Sequence, residues 1–130
     1  MDNQYQLKPG KYFFGDPSIV IQKKGKAIQF SNELWRLVYE DRMRLKCVVI
    51  DQMMIYVMKS VAGDGMFQGI GTDSGVICLM RYEDLMDDNL FKIPSQEKGF
   101  KWIIIDQITS INEENGIFSI GDILSIDTNE

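Results

Sequence analysis

Residues 102–126 read WIIIDQITSINEENGIFSIGDILSI, and this stretch decides the fold class. It is rich in isoleucine, a β-branched residue that favours strands. Asn115-Gly116 lies between two such runs, and this dipeptide is the strongest short-range signal for a β-hairpin. After the turn, apolar side chains share one face under a period of two: Phe118, Ile120, Leu124 and Ile126. The stretch therefore predicts two antiparallel strands, WIIIDQITSI and IFSIGDILSI, joined by a tight turn.

Further strands are predicted upstream. Residues 45–60 (LKCVVIDQMMIYVMKS) indicate a hairpin that reverses at Asp51-Gln52. Residues 76–82 (VICLMRY) are typical of a buried strand, and the preceding segment 61–75 (VAGDGMFQGIGTDSG) has the glycine content of a loop. Residues 11–21 (KYFFGDPSIVI) contain two short β-prone runs interrupted by Gly15-Asp16-Pro17, because proline cannot donate to a strand ladder.

One segment has a helical period. Residues 31–42 (SNELWRLVYEDR) predict a helix capped by Ser31 or Asn32, since Leu34, Leu37 and Val38 fall on one face. The preceding residues 22–30 (QKKGKAIQF) predict a basic turn and a short strand that ends at Phe30, and residues 83–91 (EDLMDDNLF) predict one or two helical turns. We therefore expect a mainly antiparallel β fold, a sandwich or barrel packed by one α-helix. At 130 residues the chain is expected to form a single domain over residues 1–130.

The charge balance excludes several classes of function. The chain has 14 basic and 19 acidic residues, a net charge of −5, and no histidine. Because the chain has no histidine, histidine-dependent catalysis is excluded, and so are zinc sites with histidine ligands. The acidic balance argues against binding to a nucleic-acid backbone. Two acidic groups could either meet a basic partner or simply face solvent: Glu83, Asp84, Asp87 and Asp88, and Glu113 with Glu114.

The cysteines, the N-terminal residues and the length of the apolar runs indicate the compartment. Cys47 and Cys78 lie inside apolar runs, where thiols usually behave as small buried hydrophobes. The N-terminal residues lack the pattern of a signal peptide, and no apolar run has the length of a membrane span. We therefore expect a cytoplasmic protein with no cofactor and no membrane partner.

Three aspartates in turn-forming contexts are candidate site residues. Asp16 stands in GDPS, Asp64 in GDG and Asp73 in TDSG. Converging carboxylates could hold Ca²⁺ or Mg²⁺ and position a water for hydrolysis. Alternatively, each aspartate accepts hydrogen bonds from the backbone of its own turn, which is the interpretation we favour. Further residues of the same motifs are candidate binding residues: Pro17, Gly65, Ser74 and Gly75. Of these, Gly65 and Gly75 are expected in conformations that other residues adopt poorly.

The order of the motifs resembles that of a known family. The runs are GKYFFGDPS (10–18), ELW (33–35), VAGDGMF (61–67), TDSGVI (72–77) and GIFSIGDILSIDT (116–128). Together they resemble a family of small uncharacterised bacterial and phage proteins with GDPCY-like, GDGxY-like and VDSG-like motifs. This chain departs from the pattern at Ser18-Ile19, where the family has Cys-Tyr, and at Phe67, where it has Tyr. The resemblance implies a fold, and the missing cysteine implies a folding or binding role for the first motif.

Our preferred hypothesis is a non-enzymatic protein-binding module of the immunity or anti-defence inhibitor type. Small size, acidity and the absence of a complete catalytic motif favour it, as do methionines suited to contact surfaces. The alternative hypothesis is a metal-dependent hydrolase built on Asp16, Asp64 and Asp73. A third hypothesis is an acidic surface that mimics nucleic acid.

Overall fold

The computed structural model describes residues 4–96 and 98–129. The α-helix within them is α1 (Lys26–Val38), and two 3-10 helices span Pro17–Ile19 and Tyr82–Met86. The strands are β1 (Gln4–Leu7), β2 (Gly10–Gly15), β3 (Leu45–Ile50), β4 (Met53–Lys59), β5 (Gly65–Phe67), β6 (Ile70–Thr72), β7 (Val76–Arg81), β8 (Lys101–Ile105), β9 (Thr109–Glu114), β10 (Ile117–Ile120) and β11 (Leu124–Asp127). No helix among the described residues is long and apolar enough to cross a membrane.

A five-stranded antiparallel sheet forms the middle layer, in the order β3-β4-β7-β2-β8. Both of its faces are buried, because successive side chains of a strand point to opposite sides. On β7, Val76, Cys78 and Met80 pack with the helix side, whereas Ile77 and Leu79 pack on the other side. This two-sided burial explains why β7 is an uninterrupted apolar run.

The two outer layers are α1 and a second sheet. The second sheet is antiparallel, in the order β1-β9-β10-β11, and it places Leu7, Ile111 and Phe118 in the core it shares with the middle sheet. The arrangement is therefore helix, sheet, sheet. It confirms the prediction of a mainly antiparallel β fold with one packed helix, and the sheets stay open rather than closing into a barrel.

The helix begins earlier than the sequence predicts. It follows Gly25, whose φ is 61°, so the predicted bounds 31–42 and the predicted strand ending at Phe30 are both wrong. Ala27 and Phe30 are buried on the same helix face as the later apolar residues. Their burial against the sheet outweighs the capping preference of Ser31 and Asn32, which lie inside the helix.

Each of the two predicted C-terminal strands is in fact a pair of strands. WIIIDQITSI divides between β8 of the middle sheet and β9 of the second sheet. IFSIGDILSI divides into β10 and β11, which pair Phe118 with Ile126 and Ile120 with Leu124. The turn at residues 121–123 preserves the alternation, so these side chains share a face as predicted although they lie on two strands.

Tight turns with positive φ join the hairpins. Asp51-Gln52 (φ 50° and 68°) connects β3 to β4, and Asn115-Gly116 (φ 54° and 83°) connects β9 to β10, as predicted. Gln68-Gly69 (φ 53° and 90°) connects β5 to β6, which pair as a short hairpin. The glycine-rich segment is therefore not purely a loop, because its six paired residues form a small sheet of their own.

The chain leaves β2 differently from the prediction. The prediction of a second strand within residues 11–21 is wrong. Pro17–Ile19 form a 3-10 helix, and Ile21 makes only an isolated bridge with Phe91. Pro17 suits the first helical position, since its φ is fixed and its missing N–H has no partner there. Asp16 caps this helix and so takes a defined position at the end of the middle sheet.

Candidate functional site

The GDPS and TDSG motifs meet at the carboxylate of Asp16, whose residue is 2% exposed. Its Oδ1 accepts a hydrogen bond from the backbone N–H of Ser18 at 2.8 Å. Its Oδ2 accepts from the hydroxyls of Thr72 (2.6 Å) and Ser74 (2.9 Å) and from the backbone N–H of Asp73 (3.1 Å). Asp16 therefore ties the end of β2 to the loop that precedes β7.

Thr72 is the second centre of this junction, although it is not among the candidate residues that the sequence pattern indicates. Its hydroxyl oxygen accepts from the backbone N–H groups of Ser74 (3.2 Å), Gly75 (3.0 Å) and Val76 (3.1 Å). Its hydroxyl in turn donates to Asp16, so the backbone of the loop is organised through one side chain. A threonine that opens a short glycine-bounded turn is a recognisable signal for such local bonding.

The electrostatics of Asp16 are set within the protein. Burial raises the pKa of Asp16, but the hydrogen bonds from Thr72, Ser18 and Ser74 together outweigh that effect and hold the pKa below its usual range. The ionised carboxylate is thus compensated by donors of the chain itself. A metal ion bound here would have to displace those donors.

The GDG motif packs beside the same loop. A Cβ added to Gly75 would lie 3.2 Å from the carbonyl carbon of Gly63, and the carbonyl oxygen of Gly75 accepts from Ser60 N–H at 2.9 Å. Gly75 has a φ of 79° and Gly65 a φ of 151°, so both adopt the conformations expected of them. All three motifs therefore come together at one end of the middle sheet.

The three aspartates nevertheless occupy different environments. Asp16 is buried, whereas Asp64 and Asp73 are exposed, and Asp73 joins the junction through its backbone N–H. Over residues 4–96 and 98–129, no group of three or more His, Cys, Asp or Glu side chains is arranged to hold a metal ion. The geometry fixes three loops relative to one another, and Pro17 and Ser74 belong to that framework.

A separate concavity lies on the helix side of the molecule. It is a groove of about 730 Å³ between α1, the β3–β4 turn and residues 83–90. The apolar residues that line it, which we call its base, are Phe30, Ile50, Met53 and Leu90. Met53 is the half-buried member of this set, and the other three are at most 7% exposed. The volume is within the range of natural binding sites, and the base offers apolar contact.

Carboxylates line the same groove. Those lining the groove are Glu33, Asp51, Glu83, Asp84 and Asp87, and the one basic residue that lines it in the described part of the chain is Lys26. Glu33 pairs with Arg36 at 2.7 Å and Glu83 pairs with Arg81 at 2.9 Å. Within residues 4–96 and 98–129, the other three carboxylates have no cationic group within 4.0 Å.

The pKa of Asp84 reflects the burial and the negative charge around it in the groove. Burial raises the pKa of Asp84, and the negative charge of Glu83 raises it further, against the opposing effect of Arg81. Ionisation of Asp84 is therefore less favourable in the folded protein than in a fully solvated side chain. A positive charge placed in the groove would relieve this effect.

The sequence identified only part of the groove. Glu83, Asp84 and Asp87 belong to the acidic group that could meet a basic partner or face solvent, and they line one wall. Asp51 and Glu33 were not connected with them, because the hairpin β3–β4 and α1 bring them there from distant parts of the chain. No local sequence pattern predicts that these residues lie close together.

Glu113 and the two cysteines lie outside both the loop junction and the groove. The side chain of Glu113 is 7% exposed, contacts Arg44 at 3.5 Å and accepts from Gly116 N–H at 2.8 Å. Cys47 and Cys78 are free thiols, half-buried and buried respectively, and burial raises the pKa of both. Cys78 lies in the helix-side core, as a small hydrophobe would.

Comparisons of the chain with protein-family models, with curated proteins and with solved structures find no match.

Proposed function

We propose that this chain is a non-enzymatic protein-binding module that contacts its partner through the groove beside α1. The observation that carries the proposal is the combination of an apolar base with five carboxylates in one concave surface. Protein interfaces commonly combine an apolar centre with polar surroundings, and this groove offers both kinds of surface. Five of the twelve residues that line the groove carry a carboxylate, unlike the mainly apolar lining of small-molecule sites.

The geometry of the loop junction supports a binding role over hydrolysis. Asp16 already accepts four hydrogen bonds from its own chain and is 2% exposed, so it is poorly placed to ligate a metal or activate water. The lack of histidine removes the commonest general base from the whole sequence. The proposal therefore assigns the three motifs to the framework and the groove to recognition.

The proposal extends to the biological class. A small acidic binding module of this kind fits an immunity or anti-defence inhibitor, acting in the cytoplasm of a bacterium or a phage-infected host. Acidic surfaces favour rapid association with positively charged surfaces of other proteins. In this class the module acts by occupying a surface of the target.

A matched pair of variants tests this function. The groove variant is Asp51→Asn with Asp84→Asn and Asp87→Asn. The control variant is Asp106→Asn with Glu114→Gln and Asp122→Asn, which removes the same charge from exposed positions outside the groove. Each protein is immobilised and exposed to lysate of a bacterial host, and retained proteins are identified by mass spectrometry.

We expect the unaltered chain and the control variant to retain the same partner, and the groove variant to lose it. Circular dichroism and thermal melting confirm that all three proteins are folded. Retention by the groove variant at the level of the control would contradict the assignment of the groove as the binding surface.

A further inference from the structure

We propose that the groove receives a cationic segment of a partner protein, in which lysine or arginine side chains flank one apolar side chain. This inference rests on the proposed function and adds to it the chemistry of the partner. The occupant follows from the charges around the groove and from the character of its base.

The excess of negative charge in the groove favours a positively charged partner segment. Five carboxylates and one lysine line the groove in the described part of the chain. Glu33 and Glu83 each have an arginine neighbour, whereas Asp51, Asp84 and Asp87 have no cation within 4.0 Å among the described residues. Charge complementarity of this kind steers association and excludes partners of the same sign.

The carboxylates are spread over separate elements, which favours an extended partner over a small ion. Asp51 stands in the β3–β4 turn, while Asp84 and Asp87 lie in and after the 3-10 helix Tyr82–Met86. Several cationic side chains on one segment can contact these positions together. No group of three acidic side chains is arranged for a metal ion in residues 4–96 and 98–129.

The apolar base of the groove favours an apolar side chain between the cationic ones. Phe30, Ile50 and Leu90 are buried apolar residues that line the groove, and Met53 lines it as a half-buried residue. Methionine adapts its shape to different contacts, so it suits a base that receives an inserted side chain. An apolar residue between the cationic ones would be desolvated there, as the central residue of an interface is.

The test uses a short synthetic peptide in which lysines flank a central leucine. It is titrated by isothermal calorimetry into the full chain, the groove variant and the control variant, at low and at physiological salt. We expect the groove variant to bind about tenfold more weakly, a loss of about 1.4 kcal/mol, and the control variant to change by less than about twofold. Higher salt should weaken binding to the unaltered chain.

Three further measurements separate charge from apolar contact. A peptide with serine in place of leucine, and the variant Met53→Ser, should each weaken binding about threefold or more, because each removes part of the apolar contact. Spermidine supplies positive charge without an apolar side chain, and we expect it to bind more weakly than the peptide. Spermidine binding as tight as that of the peptide would overturn the inference.

Equal weakening in the groove and control variants would also overturn it, since binding would then reflect net charge alone. The absence of peptide binding would do the same. If a lysate partner is retained in a groove-dependent way while the peptide does not bind, the inference about chemistry is wrong and the proposed function stands. If neither depends on the groove, both are wrong.

Discussion

Replacing Asp16 with asparagine should destabilise the protein strongly, because Asp16 holds two loops together. In the structure its carboxylate accepts from Ser18 N–H, Thr72 Oγ1, Asp73 N–H and Ser74 Oγ at 2.6 to 3.1 Å. An amide keeps one acceptor oxygen and places an NH₂ group where the other carboxylate oxygen stood. That NH₂ group meets a backbone N–H in either orientation.

The magnitude follows from the bonds that are lost. Hydrogen bonds to a charged group contribute about 1.5–3 kcal/mol each, and donors left without a partner add a desolvation penalty. Ser18 and Asp73 are exposed enough to recover water, whereas Thr72 is buried. We therefore expect Asp16→Asn to lower the free energy of unfolding by about 2–3 kcal/mol. Asp16→Ala should cost more, about 3–5 kcal/mol.

The assay is urea unfolding followed by circular dichroism across a pH series. The pKa of Asp16 is lower in the folded protein than in the unfolded chain, so its contribution is complete above the unfolded pKa. It is lost as the pH falls through the folded pKa. The difference between the unaltered protein and Asp16→Asn should therefore be largest near neutral pH and narrow in acid.

The matched control is Asp106→Asn, an exposed aspartate whose carboxylate accepts no hydrogen bond from the described residues. It should change the free energy of unfolding by less than about 0.5 kcal/mol. An Asp16→Asn variant as stable as this control at neutral pH would refute the reasoning. So would a stability difference that did not change with pH.

Four other substitutions have defined expectations. Gly75→Ala should lower the free energy of unfolding by about 2 kcal/mol in urea, because φ is 79° and the new Cβ would lie 3.2 Å from Gly63. Gly63→Ala, with φ 85° and open space, should cost only about 1 kcal/mol, and equal costs would contradict the contact. Gln52→Gly should raise the free energy of unfolding by about 0.5–1 kcal/mol, since φ is 68° there, and a lower melting temperature would count against that turn. Asp84→Asn should raise the melting temperature at neutral pH, because the raised folded pKa of Asp84 destabilises its ionised form, and the gain should vanish as the pH falls below the unfolded pKa.

Local patterns predicted the parts of the fold that depend on neighbouring residues. The turns at Asp51-Gln52 and Asn115-Gly116 were predicted correctly, since both depend on a dipeptide and its flanking strands. The prediction of a buried strand over residues 76–82 was also correct, because an uninterrupted apolar run is itself a local signal. The start of α1 was wrong, because capping preferences are local and the burial of Ala27 and Phe30 against the sheet is not.

The site was predictable to a similar extent. The turn motifs pointed to Asp16, but its partners Thr72 and Ser74 are more than fifty residues away, and only the antiparallel pairing of β2 with β7 brings them together. The acidic wall of the groove was visible in the sequence at residues 83–88. Its opposite side was not, because Asp51 reaches it through the β3–β4 hairpin.

The most direct test of the account is the melting temperature with and without Ca²⁺, Mg²⁺ or Mn²⁺. If the loop aspartates are a structural framework and the chain is a binding module, added metal should change the melting temperature no more than an equivalent ionic strength does. Asp64→Asn should behave like the unaltered protein in both conditions. A rise of several degrees at sub-millimolar metal that Asp64→Asn abolishes would contradict the account and favour a metal-dependent hydrolase.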